Sequence, residues 1–173
     1  MSDSVIPDDA ILDHLCQRLG ERLVARGDRI GTAESCTGGL IAKVMTDISG
    51  SSRWFERGVV TYSNEAKGEL LGVPGAKEDG FVAVSSRTVL AMADGMKASA
   101  PVQWSVAVSG VAGPTGGSPT KPVGTVYIAW AGPGIATSSS RFQFGGDRDA
   151  VRRRTAEAAL RGLHDLLDAL DAA

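Results

Sequence analysis

The sequence predicts an α/β protein, namely a three-layer α/β/α sandwich around a mixed, mostly parallel sheet of about five strands. Segments with helical spacing of apolar residues alternate with short segments rich in β-branched residues, which is typical of this class. Late in the chain, two strong strand segments follow each other without a helix between them, which indicates one antiparallel pairing. We expect residues 1–173 to form a single domain, with residues 1–9 as a flexible N-terminus.

Five segments are expected to be helical because apolar residues recur in them every three or four positions. Asp8 or Asp9 can cap the first helix and Gly27 can end it, while Ser85 or Ser86 can cap the fourth. The expected helices lie at residues 8–26, 38–48, 64–73, 87–100 and 147–170.

Five further segments carry β-branched and aromatic residues and are expected to be strands. The last of them alternates polar and apolar residues, as an edge strand does. The expected strands lie at residues 29–34, 54–63, 103–110, 123–130 and 137–144.

Charge and cysteine content exclude several classes of protein. The formal net charge is -2, from 18 basic and 20 acidic residues, so no global positive field attracts nucleic acid or an anionic membrane. Cys16 and Cys36 are too few for a disulfide framework, which favours a reduced, cytoplasmic location. The N-terminus has no signal-peptide pattern, and no apolar run approaches the roughly 20 residues that span a bilayer.

Glycine-rich loops at strand ends are the expected place for a ligand. The chain has 22 glycines among 173 residues, about twice the usual share. In open α/β sheets, ligands bind outside the carboxyl ends of the strands. The loops that qualify are 34–39, 62–67, 109–118 and 144–148.

The stretch TAESCTGG, residues 32–39, forms the first strand-to-helix turn. Its side chains either cap the following helix or provide a nucleophile. Free N–H groups at the start of that helix, near Gly38 and Gly39, would stabilise an oxyanion formed at Ser35. A second hypothesis makes Cys36 the nucleophile, since a helix N-terminus lowers the pKa of a thiol. Thr37 completes the set of candidate side chains.

A nucleophilic serine needs a base, and the two histidines are poor candidates. His14 and His164 lie on the first and last helices, remote from the glycine loops, so neither a Ser-His-Asp triad nor a metal site is expected. Lys67 is the remaining base, with Tyr62 able to orient or relay the proton. One alternative is a solvated lysine paired with a neighbouring glutamate, Glu65 or Glu69, and another is a local Ser63/Lys67 pair at i, i+4.

The loop SGVAGPTGGSPTKP, residues 109–122, can form a phosphate-binding nest of backbone N–H groups. It matches neither the P-loop nor the dinucleotide-binding glycine pattern. A long hairpin connection stiffened by prolines is the alternative. If the loop binds phosphate, the candidate binding residues are Ser109, Gly110, Gly113, Thr115 and Gly116.

Arg148 and Arg152 stand at the start of the last helix, where cations oppose the helix dipole. Either a bound phosphate or the neighbouring carboxylates of Asp147 and Asp149 would offset that cost.

The stretches TAESCTGG, GSSRWFERGVVTYSNEAK, SGVAGPTGG, KPVGTVYIAW and GDRDAVRRR together closely resemble the carboxyl-terminal domain of competence- and damage-inducible (CinA-type) proteins. The resemblance covers roughly residues 10 to 170 and is greatest to the stand-alone nicotinamide-nucleotide amidases. It implies an α/β/α sandwich with a mixed sheet. Longer relatives carry an amino-terminal pyrophosphatase-like domain, whose activity is not expected here.

The resemblance also implies a reaction, namely hydrolysis of the carboxamide of nicotinamide mononucleotide without metal or cofactor. A serine attacks, a lysine acts as base and a tyrosine assists, roles that correspond to Ser35, Lys67 and Tyr62. The partner would be this nucleotide, with neither nucleic acid nor membrane, and homo-oligomerisation stays open. A nucleotide-binding sensor without catalysis remains the alternative function.

Overall fold

The computed structural model describes residues 5–173, in which helices and strands follow the predicted order with ends shifted by a few residues. The helices are α1 Asp9–Arg26, α2 Leu40–Thr46, α3 Asn64–Leu71, α4 Ser86–Ser99 and α5 Arg148–Asp171. The strands are β1 Ile30–Glu34, β2 Phe55–Val60, β3 Trp104–Gly110, β4 Thr125–Ala131 and β5 Ser138–Gln143. A short 3-10 turn, Ser51–Arg53, precedes β2.

The strands form one mixed sheet in the order β2-β1-β3-β4-β5. β1 pairs in parallel with β2 and β3, whereas β4 pairs antiparallel with β3 and β5. β4 alone therefore runs against the other four strands, so the prediction of a mixed, mostly parallel sheet is confirmed. The last strand lies at an edge of the sheet, as expected.

Helices cover both faces of the sheet and complete the predicted three layers. α1, α2 and α5 pack on one face against large side chains such as Trp104, Val106 and Val108. α3 and α4 pack on the other face, where the sheet presents small residues such as Ala107. The alternation along β3 thus sends bulky and small side chains to opposite layers.

The sequence signals for helix ends are confirmed where they could be read locally. The Asp8 carboxylate accepts from Ile11 N–H at 2.9 Å, and Gly27 ends α1 with a φ of 71°.

Of the expected flexible segment 1–9, residues 1–4 lie outside the described part of the chain, and flexibility stays a prediction. Among residues 5–9, the Pro7 carbonyl and the Asp9 carboxylate accept hydrogen bonds from Arg153.

Candidate active site

A cleft of about 310 Å³ lies at the carboxyl ends of the strands that run in the same direction. It is lined by most of the predicted site residues, which come from four separate segments of the chain. These are Ser35, Tyr62, Lys67, Ser109, Gly110, Gly113, Thr115, Gly116 and Arg148. The predicted residues Thr37, Gly38, Gly39 and Arg152 do not line it.

Ser35 follows β1 directly, so the strand determines where its side chain starts. Its N–H donates to the carbonyl of Val108 on the neighbouring β3 at 3.1 Å. Its Oγ lies 3.2 Å from Lys67 Nζ, and the side chain is almost enclosed. The structure therefore joins the predicted nucleophile and base by a hydrogen bond.

Lys67 lies in the first half of α3, a helix capped by the Ser63 hydroxyl. Its side chain is 1% exposed. Besides Ser35, Nζ contacts the backbone carbonyls of Thr61 at 2.8 Å, Tyr62 at 3.4 Å and Ser63 at 3.5 Å. Carbonyl oxygens, rather than a carboxylate, therefore surround the amine.

The alternative of a solvated, ion-paired lysine at this position is wrong. Glu69 pairs with Lys77 at 3.3 Å, and within residues 5–173 no salt bridge involves Lys67. Burial lowers the pKa of the Lys67 ammonium, because removal from water disfavours the charged form. A lysine in this state is suited to accept a proton.

Tyr62 and Arg148 form a second contact across the cleft. The Arg148 guanidinium donates to the Tyr62 hydroxyl at 3.1 Å and to the Gly113 carbonyl at 2.8 Å. The Tyr62 side chain is 60% exposed, and its hydroxyl contacts Arg148 while its carbonyl contacts Lys67. Arg148 thus connects the start of α5 with the chain after β2 and with the glycine loop.

The two glycines of the turn are not in the first turn of the helix, contrary to the expected helix start at residue 38. Gly38 and Gly39 have φ values of 59° and 98°, and α2 begins at Leu40. The Gly38 N–H donates to the Ser35 carbonyl at 2.9 Å. The expectation that it is free for an oxyanion is therefore wrong, because the tight turn uses it.

Thr37 and Arg152 stabilise the turn after β1 through contacts outside the cleft. The Thr37 hydroxyl donates to the Glu34 carboxylate at 2.6 Å, and its carbonyl accepts from Arg152 at 2.9 Å. Of the two predicted arginines, only Arg148 lines the cleft.

Cys36 lies beside Ser35 and lines the cleft, but it is only 7% exposed, and burial raises the pKa of its thiol to about 12. The expectation that a helix N-terminus lowers this pKa is wrong, because desolvation outweighs the nearby positive charges.

Neither histidine lines the cleft. The His164 ring contacts the Leu15 carbonyl at 3.0 Å between α1 and α5, and burial lowers its pKa. In the described range, no group of three or more His, Cys, Asp or Glu side chains could hold a metal ion. Nor does that range contain a helix with the length and hydropathy needed to cross a bilayer.

Sequence reasoning missed one wall of the cleft, formed by Ala83 and Val84 just before α4. The Ser109 hydroxyl donates to the Ala83 carbonyl at 2.8 Å, and Lys121 Nζ donates to the Val84 carbonyl. No local pattern marks this segment, since its position depends on contacts with residues more than 25 positions away.

The loop 109–122 is indeed a hairpin connection, and its first half also lines the cleft.

The mixed sheet and the buried serine–lysine contact at the carboxyl ends of its parallel strands define the class of this protein, an α/β sandwich with a candidate Ser-Lys site. Within that class, the chain belongs to the CinA C-terminal domain family, whose model matches residues 12–167. The resemblance drawn from the sequence motifs is thereby confirmed.

Curated relatives and solved structures agree with this assignment. A nicotinamide-nucleotide amidohydrolase PncC from Pseudomonas putida is 55% identical over 152 residues, which are 88% of this chain and 94% of the relative. The protein of the same name from Escherichia coli K12 is 51% identical over 158 residues, 90% of this chain and 94% of that protein. The crystal structure of competence/damage inducible protein CihA from Agrobacterium tumefaciens superposes with a TM-score of 0.87 at 40% identity, covering 94% of this chain and 98% of that one.

Proposed function

We propose that this chain is a nicotinamide-nucleotide amidohydrolase, which converts nicotinamide mononucleotide to nicotinic acid mononucleotide and ammonia in pyridine nucleotide salvage. The curated relatives at 51% and 55% identity support the substrate and the reaction. The structural observation that carries the proposal is the buried contact of 3.2 Å between Ser35 Oγ and Lys67 Nζ. This contact supplies a nucleophile and a base to a cleft of nucleotide-compatible size.

In the proposed mechanism, neutral Lys67 takes the proton of Ser35 as Oγ attacks the carboxamide carbon. Collapse of the tetrahedral intermediate breaks the carbon–nitrogen bond, and Lys67 returns the proton to the departing ammonia. Water then attacks the acyl-serine ester, with Lys67 as base again, and releases the carboxylic acid and the free serine.

The carbonyl groups around Lys67 support this role. A neutral amine has two N–H donors and one lone pair. The Thr61 carbonyl, at 2.8 Å, can accept one N–H group, and the carbonyl of either Tyr62 or Ser63 can accept the other. The lone pair then faces Ser35, which is the orientation that a base requires.

The oxyanion of the intermediate needs N–H donors close to Ser35. The Gly38 N–H is committed to the turn. Within residues 5–173, the N–H groups of Cys36, Thr37 and Gly39 donate to no other residue. Of these three residues only Cys36 lines the cleft, so we assign the oxyanion to its N–H, which belongs to the residue directly after the nucleophile, as in other strand-to-helix nucleophile turns.

The phosphate of the substrate would bind Arg148 and the N–H groups of the loop that contains Gly113, Thr115 and Gly116. All four residues line the cleft, and arginine matches phosphate geometry through paired N–H donors. Binding energy from the phosphate orients the reacting amide, so free nicotinamide should be a poor substrate.

We also propose a cytoplasmic location and a small-molecule nucleotide as the partner, with neither nucleic acid nor membrane. The unpaired, buried cysteines and the small negative net charge support this. Homo-oligomerisation stays an open prediction.

The test is ammonia release from nicotinamide mononucleotide in chelator-containing buffer, with free nicotinamide as second substrate. We expect nucleotide-specific release by the wild type and a loss of about 10³-fold or more in Ser35→Ala and Lys67→Met. Ser99→Ala is the matched control, since Ser99 lies at the end of α4 away from the cleft.

Two results would contradict the proposal. Tight nucleotide binding without ammonia release by folded wild type would favour a binding module. Full activity in Ser35→Ala, lost instead in Cys36→Ala, would make the thiol the nucleophile.

A further inference from the structure

Glu34, the residue directly before the nucleophile, has a buried side chain that the proposed mechanism does not use. It is the last residue of β1 and is 1% exposed. Oε1 accepts from the Thr37 hydroxyl at 2.6 Å and from the Ile41 N–H at 2.8 Å, while Oε2 accepts from the Ala42 N–H at 2.9 Å. The carboxylate therefore contacts both the turn that carries Ser35 and the start of α2.

A buried carboxylate is costly unless hydrogen bonds satisfy it. Three donors satisfy Glu34, and in the described part of the chain it forms no salt bridge. Gly39 occupies the N-cap position of α2 and makes no side-chain cap bond. Glu34 thus replaces the missing cap from a position seven residues before Ile41, and closes the intervening turn by doing so.

The backbone of Glu34 also leads to the base. Its carbonyl accepts from the Thr61 N–H at 2.8 Å, and the Thr61 carbonyl in turn accepts from Lys67 Nζ at 2.8 Å. The positions of both reacting residues therefore depend on Glu34. Ser35 follows it directly in the chain, and Lys67 contacts Thr61, which is hydrogen-bonded to the Glu34 carbonyl.

We infer that Glu34 is a positioning residue for the reaction, whose carboxylate fixes the turn so that Ser35 Oγ stays within hydrogen-bond distance of Lys67. The inference rests on the proposed function. Glu34 does not line the cleft, so it acts through Ser35 and not on the substrate. Its loss should slow the chemical step while leaving nucleotide binding nearly unchanged.

The first variant is Glu34→Gln, which keeps the shape but turns one acceptor oxygen into an NH₂ donor that faces a backbone N–H. We expect kcat to fall about 10- to 100-fold, the loss that a displacement of about 1 Å causes, with KM within about twofold of the wild type. Met92→Ala is the stability control, because Met92 is fully buried in the opposite layer. It should lower Tm without lowering kcat of the folded protein.

A second pair of variants keeps the inference testable if Glu34→Gln does not fold. Thr37→Val removes one of the three hydrogen bonds and should lower kcat about three- to tenfold. Thr37→Ser restores the hydroxyl and should return kcat to within about twofold of the wild type.

The outcomes separate this inference from the proposed function. If the wild type itself releases no ammonia, the proposed function fails. If the wild type is active, a kcat of Glu34→Gln within twofold of it would overturn the inference, as would a rise in KM at constant kcat. Where Glu34→Gln is not folded, unchanged kcat in Thr37→Val overturns it.

Discussion

At the scale of single residues, the charge state of Lys67 depends on its burial in the fold. Its amine is enclosed by carbonyl oxygens and the Ser35 hydroxyl, and burial lowers its pKa. A base has to be neutral before it accepts a proton, so the same burial that makes the lysine costly to place also makes it reactive.

This burial predicts a specific dependence of stability on pH. A folded-state pKa below the unfolded one means that the unfolded chain binds more protons between the two values, so the free energy of unfolding rises with pH there. We expect the wild type to gain stability relative to Lys67→Met as pH rises from the lowered pKa towards the ordinary value of about 10.4. Urea unfolding at several pH values measures this difference.

Lys43 provides the control for this prediction. It is exposed, and its contact with Asp47 raises its pKa, so the wild type should lose a small amount of stability relative to Lys43→Met as pH rises above the ordinary value. A wild type that loses stability relative to Lys67→Met as pH rises through this range would contradict the assignment of a lowered pKa.

Arg148 is the residue on which nucleotide recognition should depend. Its guanidinium contacts Tyr62 and Gly113 with two different nitrogens, a geometry that a lysine ammonium cannot reproduce. We expect Arg148→Lys to raise KM for nicotinamide mononucleotide about 10-fold and Arg148→Met about 100-fold, with smaller effects on kcat. Steady-state kinetics with nucleotide and free nicotinamide measure the effect.

Arg153→Met is the matched control, because Arg153 lies on the same helix and pairs with Asp9 outside the cleft. Equal KM changes in the two methionine variants would show that Arg148 acts through helix stability and not through the ligand.

At the scale of elements, the chain before α4 owes its place in the cleft to distant side chains. The Val82 carbonyl accepts from the Thr88 hydroxyl at 2.7 Å, while Ser109 and Lys121 hold the next two carbonyls. The wall of the cleft is thus connected to β3 and to the hairpin loop after it.

Removing the lysine should loosen this wall. Lys121→Met leaves the Val84 carbonyl without its donor, so we expect KM for the nucleotide to rise about three- to tenfold and Tm to fall by about 2–4 °C. Lys97→Met is the control, since Lys97 donates to the Gly132 carbonyl at the opposite end of β4. It should lower Tm similarly and leave KM unchanged, and a matching KM rise there would contradict a local role for Lys121.

Elements with local signals could be predicted from the sequence, and elements held by distant contacts could not. Asp8, Ser85 and Asp147 each cap the helix that follows, and periodicity predicted the helices between such signals. The late start of α2 was missed, because Glu34 caps it from the preceding strand.

The same distinction applies to the site. Ser35 and Lys67 could be proposed because few nucleophiles and bases stand at strand ends. The separate tasks of Arg148 and Arg152 depend on where α5 crosses the turn and the loop, which no spacing in the sequence encodes.

At the scale of the whole molecule, the reactivity of the two cysteines shows whether the layer formed by α1, α2 and α5 is folded. Cys16 and Cys36 are both buried in the core on the side of α1, α2 and α5, and burial raises the pKa of each thiol to about 12. A thiol reagent needs the thiolate and an open path. Burial disfavours the thiolate of both residues, and Cys36, although it lines the cleft, is only 7% exposed.

We therefore expect both thiols to react slowly at neutral pH and at full rate in denaturant, as followed by mass spectrometry. The single variants Cys16→Ser and Cys36→Ser assign the signals. Rapid modification of Cys36 in a folded protein, accompanied by loss of activity that Cys36→Ser escapes, would contradict the burial described here.

Because β4 runs antiparallel to β3, the loop that joins the two strands begins and ends at neighbouring positions of the sheet. Val111 N–H donates to the Thr125 carbonyl at 2.8 Å and Gly124 N–H to the Val111 carbonyl at 2.7 Å, which closes the base of the loop between β3 and β4. We therefore expect changes at exposed loop positions such as Thr115 to alter substrate preference while the sheet register and the Ser35–Lys67 contact stay in place, provided that Gly113 and Lys121 are kept. The paired strands supply the fixed frame of the reaction centre, and the exposed part of the loop is where recognition of the substrate can evolve separately.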